Sequence, residues 1–435
     1  MMPASLGIKH NLSQFLHQLF QVLLVGLTIG TMRTVVPTLA ETEFGVPQTS
    51  FLLLSSFVVA FGFVKGFMNF YAGRWSETIG RKPVLILGWL VGLPIPILIW
   101  FAPSWSWIVG ATILLGVNQG LTWSMTQTAK LDFTLPRERG LTLGLNEFSG
   151  YIGVALGGIL TAWLTETIGL KIGLLWFGLS VVGMGLFFTV FFIQETRPPR
   201  PVPAVAQSIG RVARGHIETQ PQNETLRSTG SIFKLVSWGD KRLFALCQAG
   251  LVEKFVDALV WLLYPIFLYQ KGLNLTQASS IIGVYGIVWG TSQLITGPLS
   301  DRVGRYWLNG MGMWLCGTGV LLMLLNQGAL WWTFSAAVTG FGMAMLYPNL
   351  SAAIADIAAP DWRGSAIGVY RFWRDLGYGI GGIGLGVTAH YFGQIEAAFW
   401  FVSLSMFTSG ALLMWLCEET HPSLTTSVLA QDKST

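Results

Sequence analysis

A chain of 435 residues that is 52% hydrophobic and 11% charged, with mean hydropathy +0.56, carries more apolar side chain than a soluble core can hide; soluble domains carry about 25% charged residues. That excludes a cytosolic globular enzyme and makes a bilayer the solvent. The net charge of +5 is not a nucleic-acid footprint, because the placement of the bases along the chain has a better explanation.

Taken in chain order, Lys9, His10 and His17 lead directly into a long apolar run without a small-residue cleavage site, so that run reads as a first span rather than a signal peptide. A spanning helix needs about 20 mostly apolar residues. Such runs lie at 14–38, 47–72, 84–101, 106–130, 140–164 and 172–193, and resume at 243–269, 277–298, 307–326, 330–355, 365–391 and 396–417. This predicts an all-α membrane protein of twelve transmembrane helices in two pseudo-symmetric six-helix bundles. The divisions are an N-terminal bundle over 1–193, a cytoplasmic linker over 194–242, a C-terminal bundle over 243–418 and a cytoplasmic tail over 419–435. The linker contains RPPRPVPAV, whose prolines favour an extended, flexible tether. Cys247, Cys316 and Cys417 fall in apolar runs and match no metal motif.

Lys and Arg set the orientation. Arg74, Arg81 and Lys82 follow span two, Arg137 and Arg139 follow span four, Arg302 and Arg305 follow span eight, and Arg363 follows span ten. The opposite loops hold Glu41, Glu43, Glu166 and Glu396 against Lys171 and Lys271. Both termini are expected in the cytoplasm, on a multi-pass protein of the plasma (inner) membrane.

An internal repeat runs at an offset of 224 residues. GRWSETIGRKP at Gly73 returns as GPLSDRVGRYW at Gly297. Gly80 and Arg81 map onto Gly304 and Arg305, Glu77 onto Asp301, and Asp132, Arg139 and Gly140 onto Asp356, Arg363 and Gly364. Six spans per half is an even number, so the halves share one orientation and are related by an axis along the membrane normal, with a substrate site expected in the seam between them.

On these residues the chain resembles the major facilitator superfamily of secondary transporters. The family's loop motif reads roughly Gly-x-Leu-x-Asp-Arg-x-Gly-Arg-Lys/Arg. The second copy keeps Leu299, Asp301, Arg302, Gly304 and Arg305, whereas the first has Trp75, Glu77 and Thr78 in place of Leu, Asp and Arg. The resemblance implies two gating latches, Glu77–Arg81–Asp132 and Asp301–Arg305–Asp356, that close the cytoplasmic side. A plain basic anchor is the simpler reading, but an anchor needs no paired acids. The resemblance also places spans one, four, seven and ten on the cavity and three, six, nine and twelve outward.

Charge inside a membrane is costly and usually functional. Span seven carries Glu253, Asp257, Trp261 and Tyr264 on one helical face. Asp257 lies about 14 residues into the span, roughly 21 Å at 1.5 Å per residue. Its partner at the repeat offset is Arg33, and the two could face one another, either as a bridge that forms and breaks or as a permanent structural pair. Span eleven carries Arg371, Arg374 and Asp375, with Arg371 and Asp375 spaced to neutralise each other. Glu147 in span five is the repeat equivalent of Arg371. Lys65 in span two has two readings, a cavity residue or a side chain snorkelling to the headgroups. Gln119, Trp123, Gln127 and Lys130 share a face of span four and read either as cavity lining or as interhelical hydrogen bonding. The stripe Gly150, Gly153, Gly157 reads as packing; it resembles a drug-antiporter motif, but Val154 replaces the proline.

No phosphate-binding loop, metal cluster or nucleophile–base pair is recognisable, so neither ATP-driven transport nor an enzyme is expected, and no cofactor. The expected partners are a small-molecule substrate, a proton and the bilayer, for a chain acting as a monomer. Protons are the preferred coupling ion, since a carboxylate whose arginine partner leaves during the cycle changes its affinity for a proton; Asp257 comes first, then Glu253, Glu147 and Asp375. Interior charge sums to plus one, with Arg33, Lys65, Lys254, Arg371 and Arg374 against Glu147, Glu253, Asp257 and Asp375. That surplus leans toward an anionic or polar organic substrate. The rival readings are a drug or metabolite efflux antiporter and a transporter-like protein that senses a ligand, which would be expected to carry an added signalling domain.

Overall fold

Long apolar runs leave the backbone no water to bond, so each run closes its own hydrogen bonds as a helix. The computed structural model describes residues 6–45, 51–197, 228–273, 275–422 and 424. Twelve spans follow one another: Leu12–Thr42, Phe51–Thr78, Arg81–Gly92 continued by Pro94–Trp100, Trp105–Phe133, Arg139–Ile168 and Leu170–Phe192; then Lys241–Leu262 continued by Tyr264–Gln270, Leu275–Val303, Tyr306–Leu325, Ala329–Ile357, Arg363–Phe392 and Glu396–Leu416. Spans three and seven break where Pro94 and Pro265 fall, because proline lacks the N–H that a helix interior needs.

Among the described residues, seven spans are long and apolar enough to cross a membrane on composition alone: one, three, five, six, nine, ten and twelve. The outward spans expose Trp176, Phe187, Phe191, Trp307, Trp400 and Trp415. Exposed apolar surface on that scale fits a lipid-facing belt.

Buried apolar residues form two clusters, one between Val22 and Ile193 and one mostly between Ile232 and Cys417. The two bundles meet along two seams, span two against span eleven and span five against span eight. Glycines set the approach. A Cβ on Gly73 would lie 2.6 Å from the carbonyl oxygen of Gly364, and one on Gly297 would lie 2.6 Å from that of Gly140. Both seams are shut from the basic end to mid-depth. Nearer the other end, a Cβ at Gly283, Gly286 or Gly386 meets nothing within 4 Å among the described residues. At the far end Lys171 pairs with Glu43 at 3.3 Å and Lys271 with Glu396 at 3.2 Å.

The expected tether differs at its end. Its proline run, apart from Arg197, lies outside the described residues. Thr229–Lys234 and the turn Leu235–Gly239 are helical, and Ile232 and Val236 are buried one turn apart. Phe233 sits between Phe70 of span two, at 5.3 Å, and Phe372 of span eleven, at 5.5 Å. Trp373 donates to Ser237 Oγ at 2.8 Å. Burial of this apolar pair orders a segment whose surroundings are polar. Asp240 then caps span seven; burial alone would raise its pKa, but hydrogen bonds from Arg242 outweigh burial and hold the carboxyl below its ordinary value.

Candidate functional site

The membrane charges gather at mid-depth, where the bundles meet. Lys65, far from snorkelling, is 3% exposed and pairs across the seam with Asp375 at 3.4 Å. Asn69 donates to the same carboxylate at 2.6 Å, and Arg374 Nε donates to its other oxygen at 3.2 Å. Arg371 does not pair with Asp375 as the spacing suggested: its Nη1 crosses to Gln127 Oε1 of span four at 2.6 Å. With Lys65 and Arg374 already on Asp375, the i, i+4 neighbour is displaced. Four guanidinium nitrogens, Nε and Nη2 of Arg371 and Nη1 and Nη2 of Arg374, have no hydrogen-bond partner among the described residues.

Lys254, one residue off the face chosen from the sequence, stands at the centre. Its Nζ lies 3.6 Å from Glu253 and 3.5 Å from Asp257, and 4.3 Å from the centroid of the Tyr347 ring. Arg374 packs on that ring at 4.4 Å. Tyr378 donates to Asp257. Trp261 lies 5.5 Å from Tyr378. Arg33 lies in span one, and its side chain is outside the described residues.

Other candidates fall elsewhere. Tyr264 follows the break in span seven and stacks on Phe399 of span twelve at 5.4 Å, inside the C-terminal bundle. Gln119 bonds Val25 O and Thr28 Oγ1 of span one, which is interhelical bonding and not cavity lining. Lys130 donates to Gln18 O at 3.2 Å. Trp123 Nε1 donates to Glu147 Oε1 at 3.0 Å, and Glu147 Oε2 has no hydrogen-bond partner among the described residues. Gly150 packs against the Trp123 ring, and Gly153 and Gly157 pack against span one.

The two seams are closed differently at one depth. The repeat offset relates Lys65 to Trp289 and Asp375 to Tyr151. One seam therefore carries the Lys65–Asp375 ion pair, and the other carries Tyr151 on Trp289 with ring centroids 4.0 Å apart.

At the basic end, two acids at equivalent positions reach across. Glu77 accepts from the backbone N and the hydroxyl of Ser365, both at 2.6 Å. Asp301 accepts from the backbone N of Gly140 and Leu141, both at 2.9 Å. Each acid caps the start of a helix in the opposite bundle, where the helix dipole favours negative charge. Glu77 thus leaves Arg81 to Asp132, at 3.0 Å, whereas Asp301 keeps Arg305 at 2.8 Å. Asp356 holds Arg305 at 3.2 Å and, across the interface, Arg139 at 2.7 Å. Arg363 instead donates to Ala355 O, and Arg302 is exposed.

The motif reading missed Glu195 and Glu419, again 224 residues apart. Gly80 and Gly304 have φ of +107° and +96°, and the two carboxylates fill the space a Cβ would need. Glu195 accepts from the backbone N of Arg81 and Lys82, and Glu419 from that of Arg305 and Tyr306. The repeated Glu-Thr-x-Pro was the available signal. Glu419→Ala removes such a cap and is expected to cost about 1–2 kcal/mol, read as a lower unfolding midpoint in a thermal scan of purified protein.

The chain matches the family model described as Major Facilitator Superfamily over residues 19–252 and 246–433. It is 25% identical to the gallate transporter of Pseudomonas putida, over 84% of each chain. It is 24% identical to a protein of Cupriavidus pinatubonensis named "Probable 4-methylmuconolactone transporter", over 93% of this chain and 87% of the other. Among solved structures, the proton:xylose symporter XylE superposes with a TM-score of 0.71 at 15% identity, over 94% of this chain and 97% of that one.

Proposed function

The chain belongs to the major facilitator superfamily of membrane transporters, and from that premise we propose that it moves a small organic anion by alternating access, coupled to protons. The observation that carries the reading is the pair of guanidinium groups on span eleven. Arg371 and Arg374 are fully buried, yet four of their nitrogens lack a hydrogen-bond partner among the described residues. Guanidinium forks match carboxylates in geometry and charge, so a carboxylated solute satisfies what the protein leaves open. The names of the gallate and methylmuconolactone relatives agree with this class. In this reading both termini are cytoplasmic, the basic end faces the cytoplasm, and the Glu77 and Asp301 caps hold that side shut while the opposite side admits substrate. The chain works as a monomer in the inner membrane.

Purified protein in liposomes is expected to accumulate labelled gallate or benzoate when an inward proton gradient is imposed, and to lose that accumulation with a protonophore. Absence of both accumulation and counterflow across a panel of aromatic and aliphatic carboxylates would overturn the reading.

A further inference from the structure

Four carboxylates lie at mid-membrane, and their partners differ. Asp375 has Asn69, Lys65 and Arg374. Glu147 has Trp123 and Asn146. Asp257 has Tyr378 and Lys254. Glu253 is fully buried, and neither of its oxygens has a hydrogen-bond partner among the described residues. Among the described residues, the opposite charge within 4 Å of it is Lys254, at 3.6 Å, and that ammonium is shared with Asp257 at 3.5 Å.

We propose that Glu253 is the proton-carrying carboxyl, and that Lys254, shared between Glu253 and Asp257, transmits its state to the anion site. This rests on the transport reading above and names the ion site within it. A charged carboxylate out of water and without donors is costly, and taking up a proton removes that cost. The step is one proton added to the Glu253 carboxylate, with no other bond made or broken. Lys254 then belongs to Asp257 alone. Its ammonium already lies over Tyr347, the ring that also bears Arg374. Neutralising Glu253 leaves the cluster one unit more positive beside the open guanidinium nitrogens, so proton and anion favour each other's binding and travel together. Loss of the proton returns Lys254 to two acids and loosens the anion. The other titratable and charged groups facing Glu253 are Arg374, Asp375 and Tyr370 of span eleven and Cys316 of span nine.

The test is two assays on one liposome preparation, anion accumulation driven by a proton gradient and anion–anion exchange without one. Glu253→Gln imitates the protonated carboxyl. It is expected to lose accumulation by at least about tenfold and to retain measurable anion–anion exchange. Glu253→Asp retains a titratable group and is expected to keep gradient-driven accumulation. Accumulation by Glu253→Gln equal to the parent would overturn the proposal, as would joint loss of accumulation and exchange in both variants. Failure of the parent protein to exchange any anion would instead strike the transport reading itself.

Discussion

Arg371→Gln leaves the protein folded and lowers organic-anion uptake by about 10- to 100-fold, the effect of losing a charged hydrogen-bond partner worth about 1.5–3 kcal/mol. Two observations separate this from a structural defect. Arg371 makes no ion pair within 4 Å among the described residues, so its removal strands no carboxylate. Its one side-chain hydrogen bond among the described residues is to the amide of Gln127, which a glutamine at 371 can still meet. The unfolding midpoint of the variant should therefore stay near that of the parent. Arg371→Lys keeps the charge but loses the planar fork, and falls between the two. Initial uptake rates and thermal scans of the three proteins check this. Unchanged uptake in Arg371→Gln would remove Arg371 from the site.

The second large effect lies at the basic end. Glu77→Ala with Asp301→Ala removes four hydrogen bonds that cross between the bundles. Charged hydrogen bonds of this kind contribute about 1.5–3 kcal/mol each when intact. Water recovers part of that in the open form, so a net shift of about 3 kcal/mol is a conservative figure, equivalent to roughly a 150-fold change in the closed-to-open ratio. Ile79 and Val303 are exposed, equivalent under the repeat, and lie one on each bundle. Spin labels there are expected to show a longer distance as the majority component in the double variant and a single short distance in the parent. A short distance in both would mean that these acids do not hold the end closed.

The twelve spans and the duplicated acids were legible because both leave one-dimensional traces, runs of apolar residues and a fixed offset. Partner choice across the seams was not. Helical spacing places Arg371 beside Asp375, yet whether they pair depends on what the facing helix supplies, and Lys65 of span two and Gln127 of span four supply the alternatives. Tyr264 belongs to the face of Glu253 and Asp257 only if the helix is unbroken; the interruption before Pro265 turns it toward Phe399. Lys254, counted among the interior charges, lies about 100° round the helix from Glu253, off the face that the spacing picks out, and a flexible four-carbon side chain bridges that angle. The docked end of the linker was hidden because two apolar residues in a polar stretch give no periodic signal until a groove is there to receive them.

Because Tyr151 and Trp289 hold one flank of the interface by ring contact while Lys65 and Asp375 hold the other by charge, the repeated halves are mechanically lopsided. A visiting anion or proton acts on the charged fastening directly, and reaches the aromatic one only through the Lys254 ammonium over the Trp289 ring. Motion should then begin as a door swings, with one jamb released first and the opposite jamb serving as the pivot.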